Sequence, residues 1–307
     1  MTIARRQQIS LDHTPYYHCT SRCVRRAFLC GNDPYSGKNF EHRRQWLEDR
    51  LKMLTQAFAI DLLAYAIMSN HYHVVLRINL QVAASWSDTD VIERWSQIYS
   101  VTEDSVPLSS IALWRARLTD ISWFMRCINE TLARRANRED DCKGRFWEGR
   151  FKSQALLDHT ALLRCMAYVD LNPIRARIAT TPENSDHTSI QSRIEGDDDH
   201  LLPFTGTDTN ASSPIPMDYP EYLQLVDWTG RVLRAGKHGV IAPDQPPILH
   251  RIGWTSEDWI REMRHYGRWY YRAVGSLQAL NHYCEHLGQQ WLKGARPGPP
   301  KSGLLIG

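Results

Sequence analysis

At 307 residues the chain can bury a substantial core, with room for one large domain or two. Its seven cysteines include no Cys-x-x-Cys pair, so neither a disulfide framework nor a four-cysteine zinc site is suggested, and free thiols suit a reducing cytosol. Residues 1–179 hold 25 Lys+Arg against 19 Asp+Glu and residues 180–307 hold 12 against 15, so the basic charge is concentrated in the first part.

Arginine supplies 21 of those 25 cations, and its planar fork binds phosphate bidentately. Met1 to Arg6 lacks the apolar run of a signal peptide. The longest unbroken apolar run, Leu62 to Met68, is far too short to cross a bilayer. A cytoplasmic protein is the expectation.

In chain order, Tyr16 to Arg22 reads as a strand followed by a basic loop, Arg22 to Arg26. Arg22 and Arg25 there are candidate DNA-backbone contacts, or simply part of a solvated loop. Phe40 to Phe58 has the spacing of an amphipathic helix, with Trp46, Leu47, Leu51, Leu54 and Phe58 on one side. Ile60 to Met68 and His71 to Ile78 read as two strands joined at Ser69-Asn70, a β-hairpin. Residues 80–118 are weakly periodic, with a helix placed around Asp90 to Tyr99, and Asp120 to Arg138 is a clearer amphipathic helix.

Gly144 to Ser153 alternates large and polar residues and reads as a hairpin. Arg145, Trp147, Arg150 and Lys152 bring cations and an aromatic face together, as proteins that bind splayed single-stranded bases do. Trp147 is a candidate base-stacking residue or a core residue. Thr180 to Pro220 shifts to Asp, Ser, Thr and Pro and reads as a linker or irregular excursion, including Asp197-Asp198-Asp199. Beyond it lie helical patterns at Tyr222 to Ala235, Ser256 to Tyr266 and Tyr270 to Leu292, then a Pro- and Gly-rich tail from Ala295 expected to be disordered. The divisions are thus 1–180, 181–220 and 221–307.

Two stretches carry chemistry. In the strand from His71, side chains at i and i+2 share a face, so His71 and His73 point at one spot while Tyr72 turns away. Two neutral imidazoles side by side make half of a divalent metal site, or a hydrogen-bonded pair. In the helix Leu162 to Arg177, Leu162, Leu163, Met166, Val169 and Ile174 gather on a broad apolar side. Tyr168 lies on the opposite side with Arg164, Asn172 and Arg175. Pro173 lacks an N–H, so the helix is expected to end or kink beside Asn172.

His71-Tyr72-His73 resembles the HUH signature, and Tyr168-Val169-Asp170-Leu171-Asn172-Pro173 resembles the tyrosine helix of single-tyrosine HUH transposases, most narrowly of the REP-associated tyrosine transposases. Tyr17 to Arg22 and Gly144 to Lys152 look like that family too, so the resemblance covers roughly residues 13 to 180, in the family's order. Ser69 stands where many relatives carry Pro.

The resemblance implies an α+β, ferredoxin-like antiparallel sheet with helices on one face, the histidine pair on a central strand and Tyr168 on a helix facing it. A mainly helical C-terminal extension follows. It also implies that Tyr168 is the nucleophile and that Asn172 joins His71 and His73 as ligands of Mg²⁺ or Mn²⁺. The implied partner is single-stranded, hairpin-forming DNA, cleaved and rejoined through a 5′-phosphotyrosine by a monomer or homodimer. Arg22, Arg25, Arg145, Trp147, Arg150, Lys152, Arg164 and Arg175 are the candidate DNA contacts. A domesticated hairpin-binding protein without needed chemistry, and a metal hydrolase to which Tyr168 is inessential, are the competing readings.

Overall fold

Alternation along the strands sets the architecture. In β1 (Tyr16–Arg22) Tyr17 and Cys19 are fully buried on one face while His18 and Thr20 occupy the other. The computed structural model describes residues 8–24, 29–33, 37–101, 106–204, 215, 217–235, 246–290 and 292–293.

After β1 come α1 (Arg43–Ala57), β2 (Ile60–Ile67), β3 (His71–Ile78), α2 (Leu80–Ser85), α3 (Asp88–Ser96), α4 (Leu108–Arg117), α5 (Ile121–Glu139), β4 (Lys152–Leu156) and α6 (His159–Asp170). Then follow α7 (Asn172–Arg175), α8 (Ser189–Glu195), α9 (Tyr219–Ala235), α10 (Pro247–Arg251), α11 (Ser256–Trp269), β5 (Ala273–Val274) and α12 (Leu277–His286). The sheet order is β2-β3-β1-β4-β5, antiparallel except where β5 runs parallel to β4. In this ferredoxin-like order β3 lies between β2 and β1, so β1–α1–β2 is a split βαβ unit.

One face carries α1 and α5. Leu47, Leu51 and Leu54 of α1 and Phe124, Met125 and Ile128 of α5 pack on Tyr17, Cys19, Tyr72, Val74 and Leu76. The opposite face carries α6, whose Leu162, Leu163 and Met166 share a second core with Leu63, Ala64, Val75 and Leu156. That core continues into Tyr222, Leu225 and Trp228 of α9 and Trp259, Met263 and Tyr266 of α11. Every residue from Ala161 to Ile174 is buried, so α6 is sandwiched between sheet and extension. The amphipathic pattern had set Tyr168 on a solvent-side stripe. The structure buries Arg164 and Tyr168 of that stripe because α11 covers them.

Three further readings are corrected. Gly144 to Ser153 is not a hairpin: residues 144–151 form a loop with an isolated bridge, Trp147 to Cys23, before β4 pairs with β1. Residues 181–204 do not form a bare linker. Thr188 and Leu201 bridge β2 at Ala66 and Leu62, and Tyr65 N donates to Ser189 Oγ at 2.9 Å, which covers the edge of the sheet. Tyr270 to Leu292 divides into β5 and α12, the latter capped by Ser276. The tail from Ala295 lies outside the described residues.

Candidate active site

The hairpin that carries His71 is fixed from outside. Met68 N donates to His71 O at 2.8 Å across the turn, and Cys23 N and Cys30 N donate to Asn70 O and Ser69 O at 2.9 and 3.0 Å. In the register of β1 against β3, Thr20 faces His73 and Arg22 faces His71. His18, Thr20, His71 and His73 therefore rise from the same face, with Gln154 of β4 opposite His18.

The rings of His71 and His73 meet edge to face at 4.9 Å. His73 Nδ1 lies 2.8 Å from His18 Nε2 and 3.1 Å from Thr20 Oγ1, and His71 Nδ1 lies 2.6 Å from Asn70 Oδ1. In both rings Nδ1 is the engaged nitrogen, so Nε2 is the atom presented to a ligand. Burial pushes the His71 pKa down to about 4, helped by the Arg22 cation and His18. Burial holds His73 well below the ordinary histidine value, with His18, His71, Arg175 and Arg22 adding to it. Burial also takes His18 to about 4. At neutral pH all three are uncharged, the form that binds metals.

Helix α6 brings Tyr168 over this face. Asp158 caps it, accepting from Ala161 N at 2.7 Å, and also accepts from Ser276 N at 2.6 Å, which ties the start of α6 to the extension. The Tyr168 ring stands edge-on to His73 at 5.8 Å and to His18 at 6.2 Å. Tyr266 of α11 stacks on it at 4.4 Å, and the Arg175 guanidinium lies 4.4 Å from the ring centroid. As expected, the helix breaks beside Pro173: α6 ends at Asp170 and a separate turn begins at Asn172. Asn172 Nδ2 donates to Tyr168 O at 3.1 Å, which commits the amide nitrogen and leaves Oδ1 as the donor atom for a cation. Asp170, 1 % exposed, accepts from Ser189 Oγ, Ile190 N and Tyr222 Oη at 2.5, 3.0 and 2.5 Å, locking α8 and α9 to the same helix.

The structure thus brings together His71, His73, Tyr168 and Arg175, and Asn172 is tied to the Tyr168 backbone one turn along the chain. Arg22 lies exposed at the end of β1, and Lys152, exposed, is paired in register with Thr20. The loop with exposed Arg145 and Arg150 runs beside them, for Glu148 N donates to Arg22 O at 2.9 Å. Arg25 lies outside the described residues.

Two candidate DNA contacts are corrected. Arg164 is buried against α11, 2.9 Å from Glu262 Oε1 and 3.0 Å from Tyr270 Oη, so its charge is spent inside the protein. Trp147 turns to the other side of the sheet: its indole N–H donates to Asn129 O at 2.8 Å and its ring packs on Tyr72 and Phe146. It is a packing residue, the second of the two readings its sequence allowed.

Sequence reasoning missed His18, Thr20, Gln154 and Tyr266. His18 sits in a stretch already singled out, and its parity in β1 was readable. What the sequence does not carry is the β1–β3 register that sets it beside His73. Among the described residues no three His, Cys, Asp or Glu side chains are grouped to hold a metal ion. No described helix is long and apolar enough to cross a membrane.

No protein-family model matches the chain, and no curated protein matches it. Among solved structures, the chain is similar to one titled as a REP-associated tyrosine transposase bound to a REP hairpin. That similarity has 13% sequence identity and a TM-score of 0.36, over 69% of this chain and 96% of that one.

Proposed function

We propose that the chain is a DNA transposase of the single-tyrosine kind, which cleaves and rejoins hairpin-bearing single-stranded DNA with Tyr168 as nucleophile. The observation that supports this reading is the meeting, across the sheet–helix interface, of His73 of the β3 histidine pair with the Tyr168 ring, nearly a hundred residues later in the chain, with Asn172 one turn beyond that tyrosine.

The donors fit a divalent cation. His71 Nε2, His73 Nε2 and Asn172 Oδ1 would hold it, a nitrogen and oxygen set that Mn²⁺ accepts readily and Mg²⁺ accepts when water and phosphate oxygens complete the shell. When bound, such an ion neutralises a scissile phosphate and orients it.

The chain's own residues do the rest. Tyr168 Oη forms a bond to phosphorus and gives up its proton to water as the bond from phosphorus to the 3′ oxygen breaks, and the 3′ oxygen takes up a proton in turn. The products are a 5′-phosphotyrosine and a 3′-hydroxyl, and because the ester bond is conserved the step can reverse and join strands. Arg175 and Tyr266 hold the Tyr168 ring from either side and limit its swing. Arg22 and Lys152 supply cations beside the histidines for the strand's phosphates.

The test mixes the protein with labelled hairpin-bearing single strands and Mn²⁺ and looks for DNA that stays attached on a denaturing gel. An adduct that disappears in Tyr168→Phe is the expected result. Tight hairpin binding with no adduct under any metal would replace the transposase with a binding protein, and cleavage that survives Tyr168→Phe would replace it with a metal hydrolase.

A further inference from the structure

His18 has no role in the reading above, yet both of its ring nitrogens are engaged at the site. Its ring is stacked on that of His73 at 5.0 Å, its Nε2 is 2.8 Å from His73 Nδ1, and its Nδ1 is 3.2 Å from Gln154 Oε1. Gln154 Oε1 also accepts from Tyr266 Oη at 3.2 Å. The four side chains form one buried line, from the histidine pair on β3 through β1 and β4 to α11 of the C-terminal extension.

The direction of the hydrogen bonds along that line is fixed at its Gln154 end. An amide oxygen only accepts, so His18 Nδ1 carries a proton. A neutral imidazole has one N–H, so His18 Nε2 is an acceptor and His73 Nδ1 must donate to it. His73 then has its lone pair on Nε2. Thr20, which can donate or accept, is compatible with either arrangement and decides nothing.

We infer that His18, held by Gln154, is a positioning residue that keeps His73 in the Nδ1–H form and so presents its Nε2 lone pair to a cation. The inference deepens the proposed function and rests on it for the cation. A histidine ligand whose second nitrogen is fixed by a hydrogen bond is oriented and more basic, and losing such a partner costs 10–100-fold in metal affinity. Here the partner is another histidine, which is itself fixed by the amide of a neighbouring strand. Tyr266, which donates to the same amide oxygen, makes the C-terminal extension part of the arrangement. A Gln154 amide turned the other way would reverse every bond and leave the His73 proton on Nε2, where no cation could bind.

The test is a long-range ¹H–¹⁵N correlation spectrum of the full-length, metal-free protein labelled at histidine nitrogens. The His73 signals are assigned by their loss in His73→Gln. The expected result is a single His73 tautomer with the proton on Nδ1, replaced by a tautomer mixture in Gln154→Met and in His18→Phe. Mn²⁺ affinity, read by electron paramagnetic resonance, is expected to fall 10–100-fold in both variants. A His73 proton on Nε2 in the wild-type chain overturns the inference, as does a His73 tautomer unchanged in both variants. The wild-type spectrum decides even if neither variant folds. If the wild-type chain binds no Mn²⁺ while His73 keeps its proton on Nδ1, the metal-dependent reading fails and the positioning by His18 stands.

Discussion

Gly267 is where the C-terminal extension meets the Tyr168 hydroxyl. It lies inside α11, and a Cβ built there would stand 2.8 Å from Tyr168 Oη and 3.7 Å from Cζ. Ordinary contact begins at 3.4 Å, so Gly267→Ala would push the hydroxyl back by about 0.6 Å, the difference between the two distances. The ring cannot easily slip sideways, because Tyr266 and Arg175 each lie 4.4 Å from it on either side. A misplacement of about 1 Å in a reacting group can cost on the order of 10²-fold in rate, so a shift of this size is expected to slow adduct formation roughly tenfold.

Stability should move the other way or hardly at all. Alanine is favoured over glycine in a helix interior by about 1 kcal/mol, which offsets the local crowding. The assay measures the rate of covalent attachment to hairpin DNA in parallel with denaturant unfolding. Adduct formation within twofold of wild type in a normally stable Gly267→Ala protein would refute the placement of Tyr168 Oη against α11.

Two further expectations concern α6, the helix that carries Tyr168. Arg164→Met leaves the Glu262 carboxylate buried without its partner and is expected to cost about 3–5 kcal/mol, whereas Arg164→Met with Glu262→Met should recover most of that loss in denaturant unfolding and bind hairpin DNA as the wild type does. A double variant that folds but binds hairpins far more weakly would restore Arg164 as a DNA contact. Burial raises the Asp170 pKa from 3.8 to about 6, despite hydrogen bonds from Ser189 and Tyr222. A folded-state pKa above the unfolded value means that the folded chain holds its proton more tightly, so the stability from this group is present in acid and lost as pH rises through about 6. Between about pH 5 and 7 the loss is about 1 kcal/mol by linkage, and the difference between wild type and Asp170→Asn in denaturant titrations should show that slope.

Much of the fold was legible because it rests on local pattern. Tyr16–Arg22 and His71–Ile78 are strands with the bounds their composition indicated, and α11 begins at Ser256, where the helical pattern began. The pairing of His71 with His73 followed from period two alone. What failed was what depends on a second element. The stripe with Arg164 and Tyr168 looked solvent-facing because one helix's sequence does not say that α11 will lie over it. Residues 181–204 looked like a linker because Ser185, Thr188 and Ser189 are turn-forming types, yet here their hydroxyls are buried in hydrogen bonds to backbone and to Asp170. Trp147 shared a stretch with cations, and only the bridge to Cys23 reveals which face of the sheet it joins.

In the proposed reaction one particular tyrosine attacks DNA. A tyrosine that packs against another makes this a question of assignment, since Tyr266 lies stacked 4.4 Å from Tyr168. The direct measurement is mass spectrometry of the covalent complex after nuclease and protease digestion, which locates the residue that retains a nucleotide. The expected result is that nucleotide on Tyr168, in the peptide that also contains Asp170 and Asn172. A nucleotide found on Tyr266, or on any other residue, would contradict it.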